Sequence, residues 1–166
     1  FEPLAVAGIS VDTIVQNARG LCGADSASVL TYDGQLIQLE SLHNANPERA
    51  AALRQAYPMP ATRGHATGRA ILTGRPVHLP DVREDPEYTL DLLRDTVGLR
   101  SLLSVPMVRD GIPIGTITVQ RWGTPRPFSD HQIELLKTFA DQAVIAIHNV
   151  RLFRELEARN HDLTET

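Results

Sequence analysis

The chain has 166 residues, 42% of them hydrophobic and 22% charged, with a net charge of −4. That length suits one domain with a real core, and the composition is ordinary for a globular protein. No apolar run approaches the roughly 18 residues of a membrane span, and nothing in the charge marks a nucleic-acid surface.

The lone Cys22 cannot close an internal disulfide, which fits a reducing, cytoplasmic compartment. There is no signal-peptide pattern, and Phe1 in place of Met reads as an excised piece of a longer protein.

In chain order, Val11, Ile14, Val15, Ala18 and Cys22 recur at three- and four-residue spacing and predict a helix over 10–22. Ser10 is placed to cap it, Ile9 to staple against Ile14, and Gly23 to end it. Runs 26–32 and 35–42 read as strands joined by Asp33-Gly34, a pair that tolerates a two-residue hairpin turn. Residues 47–57 read as a helix with Pro47 in its first turn, ended by Pro58 and Pro60.

The middle is a series of short pieces. They are a helix over 65–72 stopped by Gly74, an edge strand over 76–79, a loop over 81–86 and a brief helix over 87–96 before Gly98. Ligand-binding loops are drawn from such stretches. Strands over 101–108 and 112–122 then flank Asp110-Gly111, a second hairpin turn, with Pro113 and Gly115 marking a bend or bulge.

The closing helix has the clearest start. Ser129 and Gln132 make a capping box, and Phe128 with Ile133 a hydrophobic staple. About thirty residues follow without Gly or Pro. Ile133, Leu136, Ala140, Ala143, Ile147 and Val150 form one stripe, expected to face the sheet. Ile145, Asn149, Leu152, Leu156 and Leu163 form a heptad-like series on nearly the opposite face, flanked by Phe153. A helix that buries one side early and another late is leaving its domain to meet a partner. Asn149 suits a register-setting polar position in a parallel homodimer, Arg159 weakens the seam, and Arg151, Glu155 and Arg159 alternate in sign beside it. A single amphipathic helix with a frayed polar tail is the alternative.

Hairpins with helices grouped beside them make an α+β architecture. Five sequence runs then point further. They are Gly68-Arg69-Ala70 with Thr73-Gly74-Arg75-Pro76-Val77; Leu79-Pro80-Asp81-Val82; Gly98-Leu99-Arg100-Ser101 with Val105-Pro106; Gly111 through Gly115-Thr116-Ile117; and Phe128-Ser129-Asp130 onward through Leu136, Ala140, Ala143, Ile147 and Asn149. In that order they resemble the GAF family of small-ligand and light-sensing domains, particularly those of bacterial sensor histidine kinases and related signalling proteins. The resemblance covers about 10–150, most sharply 64–150.

It implies a GAF/PAS-like antiparallel sheet of five or six strands, with the first and last helices on one face. Residues 45–98 would roof a ligand pocket on the other. Residues 1–150 would be the sensor, and 151–166 the start of a coiled-coil linker to a fused effector. That effector would be a histidine kinase, a cyclase, a transcription regulator or another sensor. No membrane contact by this segment is implied.

The expected pocket residues are Arg69, Tyr88, Arg100, Ser101, Leu103 and Val105, flanked by His65 and His78. Alternation puts Ser101, Leu103 and Val105 on one face of their strand and Leu102, Ser104 and Pro106 on the other. Arg100 with Arg69 could clamp a carboxylate or phosphate. The favoured alternative has Arg100 held by Asp95 or a backbone carbonyl, keeping the roof shut. Trp122 reads as a sheet-end anchor.

The ligand stays unnamed. Haem through His65 or His78 is a minor option, because these two make no metal motif. Cyclic nucleotide is another, since the Asn-Lys…Phe…Asp-Glu signature of that subset of the family is absent. A covalent bilin would need a thiol at the pocket, and Cys22 belongs to the other face. Some GAF-like proteins reduce methionine sulfoxide with several cysteines; one cysteine argues against enzymatic activity here.

Overall fold

A computed structural model of the chain describes residues 10–165, apart from the side chains of residues 150 and 161–165. The expected Ile9 staple and the side chains of Val150 and Leu163 lie outside the described residues. Helix α1 spans Val11–Leu21, with the Ser10 hydroxyl accepting from Thr13 N at 3.0 Å. Ile14, Val15 and Ala18 are buried, and Gly23 at φ +62° ends the helix in the left-handed region.

Strands β1 (Ser26–Tyr32) and β2 (Ile37–His43) pair antiparallel. The turn between them is longer than the two residues expected. The Asp33 carboxylate accepts from both Gln35 N and Leu36 N at 2.8 Å, which takes those amides out of the ladder. The ladder therefore resumes only at Ile37. Helix α2 (Pro47–Ala56) starts from Asn46, whose side chain accepts from Arg49 N.

Helix α3 (Ala66–Thr73) is capped by His65 and closed by Gly74 at φ +68°. Strand β3 (Val77–Leu79) pairs with β4 at the sheet edge. The helix expected over 87–96 is reduced to one π turn, Leu92–Thr96. Its missing first part has other bonds to make: Thr89 N and its hydroxyl both donate to Gly64 O, pulling the chain across to the loop before α3. The expected loop over 81–86 contains a short 3₁₀ turn, Val82–Glu84, capped by Asp81.

Strands β4 (Leu99–Arg109) and β5 (Ile112–Trp122) form the central hairpin. Asp110 at φ +53° and Gly111 at φ +78° make its two-residue turn. The pairing shifts between Met107–Gly115 and Val108–Pro113, so the extra residue, Ile114, forms the bulge foreseen from Pro113 and Gly115. The capping box opens helix α4 (Asp130–Glu165): Ser129 N donates to Gln132 Oε1 and Gln132 N to Ser129 Oγ.

The five strands lie in the order β2-β1-β5-β4-β3, all antiparallel. Helices α1 and α4 cover one face. There Ile14, Val15, Ala27, Val29, Leu103, Val105, Met107, Ile117, Val119 and Leu136 form the main core. The opposite face is roofed by α2, α3 and the 80–98 segment, around Leu53, Val82, Tyr88, Leu93, Leu99, Leu102 and Trp122. Leu136, Ala140, Ala143 and Ile147 of α4 are buried, as the first stripe requires, while Ile145, Leu152 and Leu156 are exposed. No helix among the described residues is long and apolar enough to cross a membrane.

Candidate functional site

The roofed face of the sheet is polar at its centre. Strands β1 and β5 alternate strictly, so Ala27, Val29, Ile117 and Val119 enter the helix-side core, while Ser26, Ser28, Thr116, Thr118 and Gln120 point to the roof. Ser104 of β4 joins them. All six are buried.

Burying hydroxyls and an amide is costly unless they are bonded, and each of these six side chains makes at least one bond to another polar group. Ser26 Oγ accepts from Trp122 Nε1 at 2.9 Å and donates to Gln120 Oε1 at 2.6 Å. Gln120 Nε2 donates to Ser28 Oγ at 3.0 Å. Ser104, Thr116 and Thr118 bond to one another through their hydroxyls.

Between this floor and the roof lies a cavity of about 30 Å³. It has room for roughly one or two waters. Ser28, Thr118 and Gln120 line it from below, His65, Thr67, Tyr57 and Tyr88 from the roof, and Leu39, Leu53, Leu90, Leu93, Leu99 and Leu102 around the sides. Burial pushes the Tyr57 hydroxyl up to about 12, opposed by its bond to Thr67, and raises that of Tyr88 as well. His65 accepts from Gly68 N at its Nδ1 while its Nε2 faces Pro60 O at 3.3 Å, so the neutral tautomer with Nε2–H serves both. Burial lowers its pKa further. The cavity lining is therefore uncharged.

Of the eight expected pocket residues, the structure brings only His65 and Tyr88 to this cavity. Leu103 and Val105 lie in the helix-side core; the side of their strand that faces the roof carries Leu102 and Ser104. Ser101 is turned to the strand end, where its hydroxyl donates to Pro80 O and accepts from Arg126 N. His78 is also on the helix side, because β3 pairs it with Leu103. Its Nε2 accepts from Phe128 N, and burial, foremost, holds its pKa down. Both ring nitrogens of His65 are engaged and His78 accepts at Nε2, and the two lie on opposite faces of the sheet, so they do not converge on one site. Among the described residues no cluster of three His, Cys, Asp or Glu could hold a metal.

Arg69 and Arg100 do not converge as a clamp. Arg69 makes a bidentate pair with Asp85 at 2.7 and 2.8 Å and donates its Nε to Arg63 O. Arg100 pairs with Asp81 at 2.8 and 3.1 Å, where Asp95 was the carboxylate expected. Asp95 instead holds Arg94. Both pairs fasten the 80–98 segment to the scaffold, and Arg100 also donates to Gly123 O at 3.4 Å, so of the two partners expected for Arg100 as a roof lock the backbone carbonyl is found and the carboxylate is Asp81.

These pairs carry a pH signature. The bond from Arg69 holds the Asp85 carboxyl below its usual range, and Arg100 does the same for Asp81. A depressed folded-state pKa gives stability that is present above the unfolded value of about 3.9 and is lost as pH falls through the folded value. Asp85→Asn is expected to cost about 1–2 kcal/mol at neutral pH, discounted for partial exposure. Urea unfolding across the acid range checks this: the gap between variant and parent should close below the usual aspartate pKa. A constant gap would assign the loss to packing.

Two features had no counterpart in the sequence reading. The polar floor was visible as the alternation Ser26-Ala27-Ser28-Val29 and Thr116-Ile117-Thr118-Val119-Gln120. Arg121 was not visible as anything but a strand end. It is buried, donates to the carbonyls of Cys22, Gly23, Arg126 and Pro127, and lies 4.1 Å over the Phe128 ring. Cys22 lies in the helix-side core with its thiol pushed up to about 11 by burial, so the chain's one thiol is not beside the cavity.

An antiparallel sheet with terminal helices on one face and a roofed polar cavity on the other defines a class of α+β sensor folds. The GAF domain model matches residues 10–147, and the chain belongs to that family of regulatory modules. No relative is found among the curated proteins.

Solved structures share the fold. The GAF domain/HD domain protein from Geobacter sulfurreducens is 17% identical with a TM-score of 0.73, covering 88% of this chain and 93% of that one. The GAF-B domain of DevS from Mycobacterium smegmatis is 24% identical at 0.66, covering 93% and 99%. A domain assigned to a two-component sensor histidine kinase from Sinorhizobium meliloti 1021 is 20% identical at 0.66, covering 84% and 89%.

Proposed function

We propose that this GAF domain is a ligand sensor in a cytoplasmic signalling protein, a two-component sensor histidine kinase. Residues 1–150 are the sensor, and 151–166 begin the coiled-coil linker to a fused effector. The chain has no enzymatic activity of its own in this reading.

The buried polar floor carries the proposal. A module that only spaced its neighbours has no need of such a network, because apolar side chains of the same shape would be about as stable there. The kinase assignment draws on the Sinorhizobium neighbour, whose fold this chain shares.

The output is helix α4. Its inner stripe is clamped to the sheet, whereas Ile145 is 62% and Leu156 58% exposed on the other side. Ile145, Asn149, Leu152, Leu156 and Leu163 form the seam of a parallel homodimer, with Asn149 fixing register. A ligand that binds one packing of the roof better than another shifts that equilibrium, and the shift leaves through rotation or sliding of α4.

One observation favours a second reading. A cavity of 30 Å³ is nearly filled, which suits a GAF domain that has lost its ligand and serves as a dimerisation and spacing element. Native mass spectrometry with an absorbance spectrum, on protein purified from its own type of host, separates the two. The expected result is a dimer that retains a small molecule. A ligand-free dimer would favour the spacer, and a monomer would remove the coiled-coil seam.

A further inference from the structure

The cavity and the surface share a wall. Leu90 and Leu93 line the 30 Å³ cavity on their inner side. On their outer side, with Ala52, Gln55 and Thr89, they line a groove of 240 Å³. Two leucines thus stand between the polar floor and solvent. Leu93 belongs to the π turn closed by Val97 N donating to Leu92 O at 3.2 Å, a geometry that recurs at functional sites. Leu90 is half-buried.

The inward-facing chemistry selects among ligands. No arginine lines the cavity: Arg69, Arg94 and Arg100 of the roof pair with carboxylates, Arg49 lies over the Trp122 ring and donates to Val97 O, and the lining itself is His, Tyr, Ser, Thr, Gln and aliphatic. A carboxylate or phosphate drawn inside would lose its hydration with no free cation to receive it. The floor, by contrast, has donors to spare. Gln120 Nε2 gives one proton to Ser28 Oγ; among the described residues its second proton and the Ser28 hydroxyl proton have no acceptor.

We propose that the cavity takes an uncharged small molecule that presents a carbonyl or ring-nitrogen acceptor to Ser28 and Gln120 and an apolar body to Leu53, Leu99 and Leu102, admitted when Leu90 and Leu93 swing out and merge the cavity with the groove. This deepens the ligand-sensor reading and rests on it. The closed state is the resting packing of the roof, and the occupied state holds the two leucines apart.

Benzamide and benzoate, matched in shape and differing in charge, test the class by NMR titration of the isotope-labelled chain. Benzamide should move the Gln120 side-chain amide and the Ser28 backbone amide saturably, with benzoate at least about tenfold weaker for want of a cation. Ser28→Ala should weaken benzamide about fivefold through one lost hydrogen bond. Leu90→Ala, at a half-buried position, should tighten it about threefold or more by removing part of the cost of opening.

Equal or tighter binding of benzoate overturns the uncharged class and leaves ligand sensing standing. Shifts confined to other residues overturn the site, and weaker binding to Leu90→Ala overturns the gate. Binding of neither compound, to the parent or to Leu90→Ala, overturns this proposal, while the sensor reading stands or falls separately on whether the purified protein retains a small molecule.

Discussion

Arg121→Ala is expected to lower the unfolding free energy by about 4 kcal/mol, as several hydrogen bonds from a charged donor are lost and their carbonyls are left unpaired. Arg121 is the tie between three parts of the chain. Its Nη2 donates to Cys22 O at 3.2 Å and its Nε to Gly23 O at 3.1 Å, closing the end of α1. Its Nη1 donates to Arg126 O at 2.7 Å and Pro127 O at 2.9 Å, fixing the approach to α4. The guanidinium stacks on Phe128, the staple residue of that helix.

Burial, foremost, lowers the Arg121 pKa, yet the group stays charged at any physiological pH. Arg121→Lys should recover less than half of the loss, since a point ammonium cannot span four carbonyls. Thermal unfolding of parent and both variants checks this, with a drop of about 10 °C expected for alanine in a chain of this size. A drop of only a degree or two would mean that the helix ends are held by packing alone. Because α4 is the proposed output, the same variant should also loosen its start, visible as faster amide exchange at 130–134.

Gly115→Ala is expected to cost a similar amount, about 4 kcal/mol, by a different route. A Cβ at this position would lie 1.9 Å from Leu30 O and 2.9 Å from the Met107 side chain, at φ +151°. The carbonyl belongs to the β1–β5 ladder and cannot retreat without breaking it. Met107 is fully buried in the helix-side core. The sheet must therefore part at its centre, between β1 and β5. Gly20→Ala is the control: it meets nothing within 4 Å inside α1, and should add about 0.5–1 kcal/mol through helix propensity. Urea denaturation of the three proteins reads both effects. Equal stability of Gly115→Ala and parent would show that the bulge can shift register to admit a side chain.

How much of this was legible beforehand depended on the range of the forces involved. The capping box at Ser129 and Gln132, the Asp110-Gly111 turn and the Gly74 stop are satisfied within a few residues, so sequence spacing shows them directly. The 33–36 turn failed because Asp33 competes for the amides that a tighter turn would have paired. The helix over 87–96 failed because Thr89 bonds to Gly64, a partner 25 residues away. For the pocket, alternation along β4 was read correctly as two faces, but the choice of face was not. That choice needs to know which side α1 and α4 cover, and burial of Leu103 against Leu136 is a tertiary event.

By itself, then, the amino-acid sequence determined the family, the alternating strands, both terminal helices and the outward apolar stripe of α4. The strands, helices and stripe follow from local periodicity and short-range hydrogen bonding, and the family from the resemblance carried by five sequence runs. Only the tertiary structure decided that Arg69 and Arg100 lock the roof through Asp85 and Asp81, that Arg121 joins α1 to α4, and that the cavity is uncharged. A guanidinium looks the same in sequence whether it faces a ligand or a carboxylate, and only the fold brings that carboxylate within 2.8 Å.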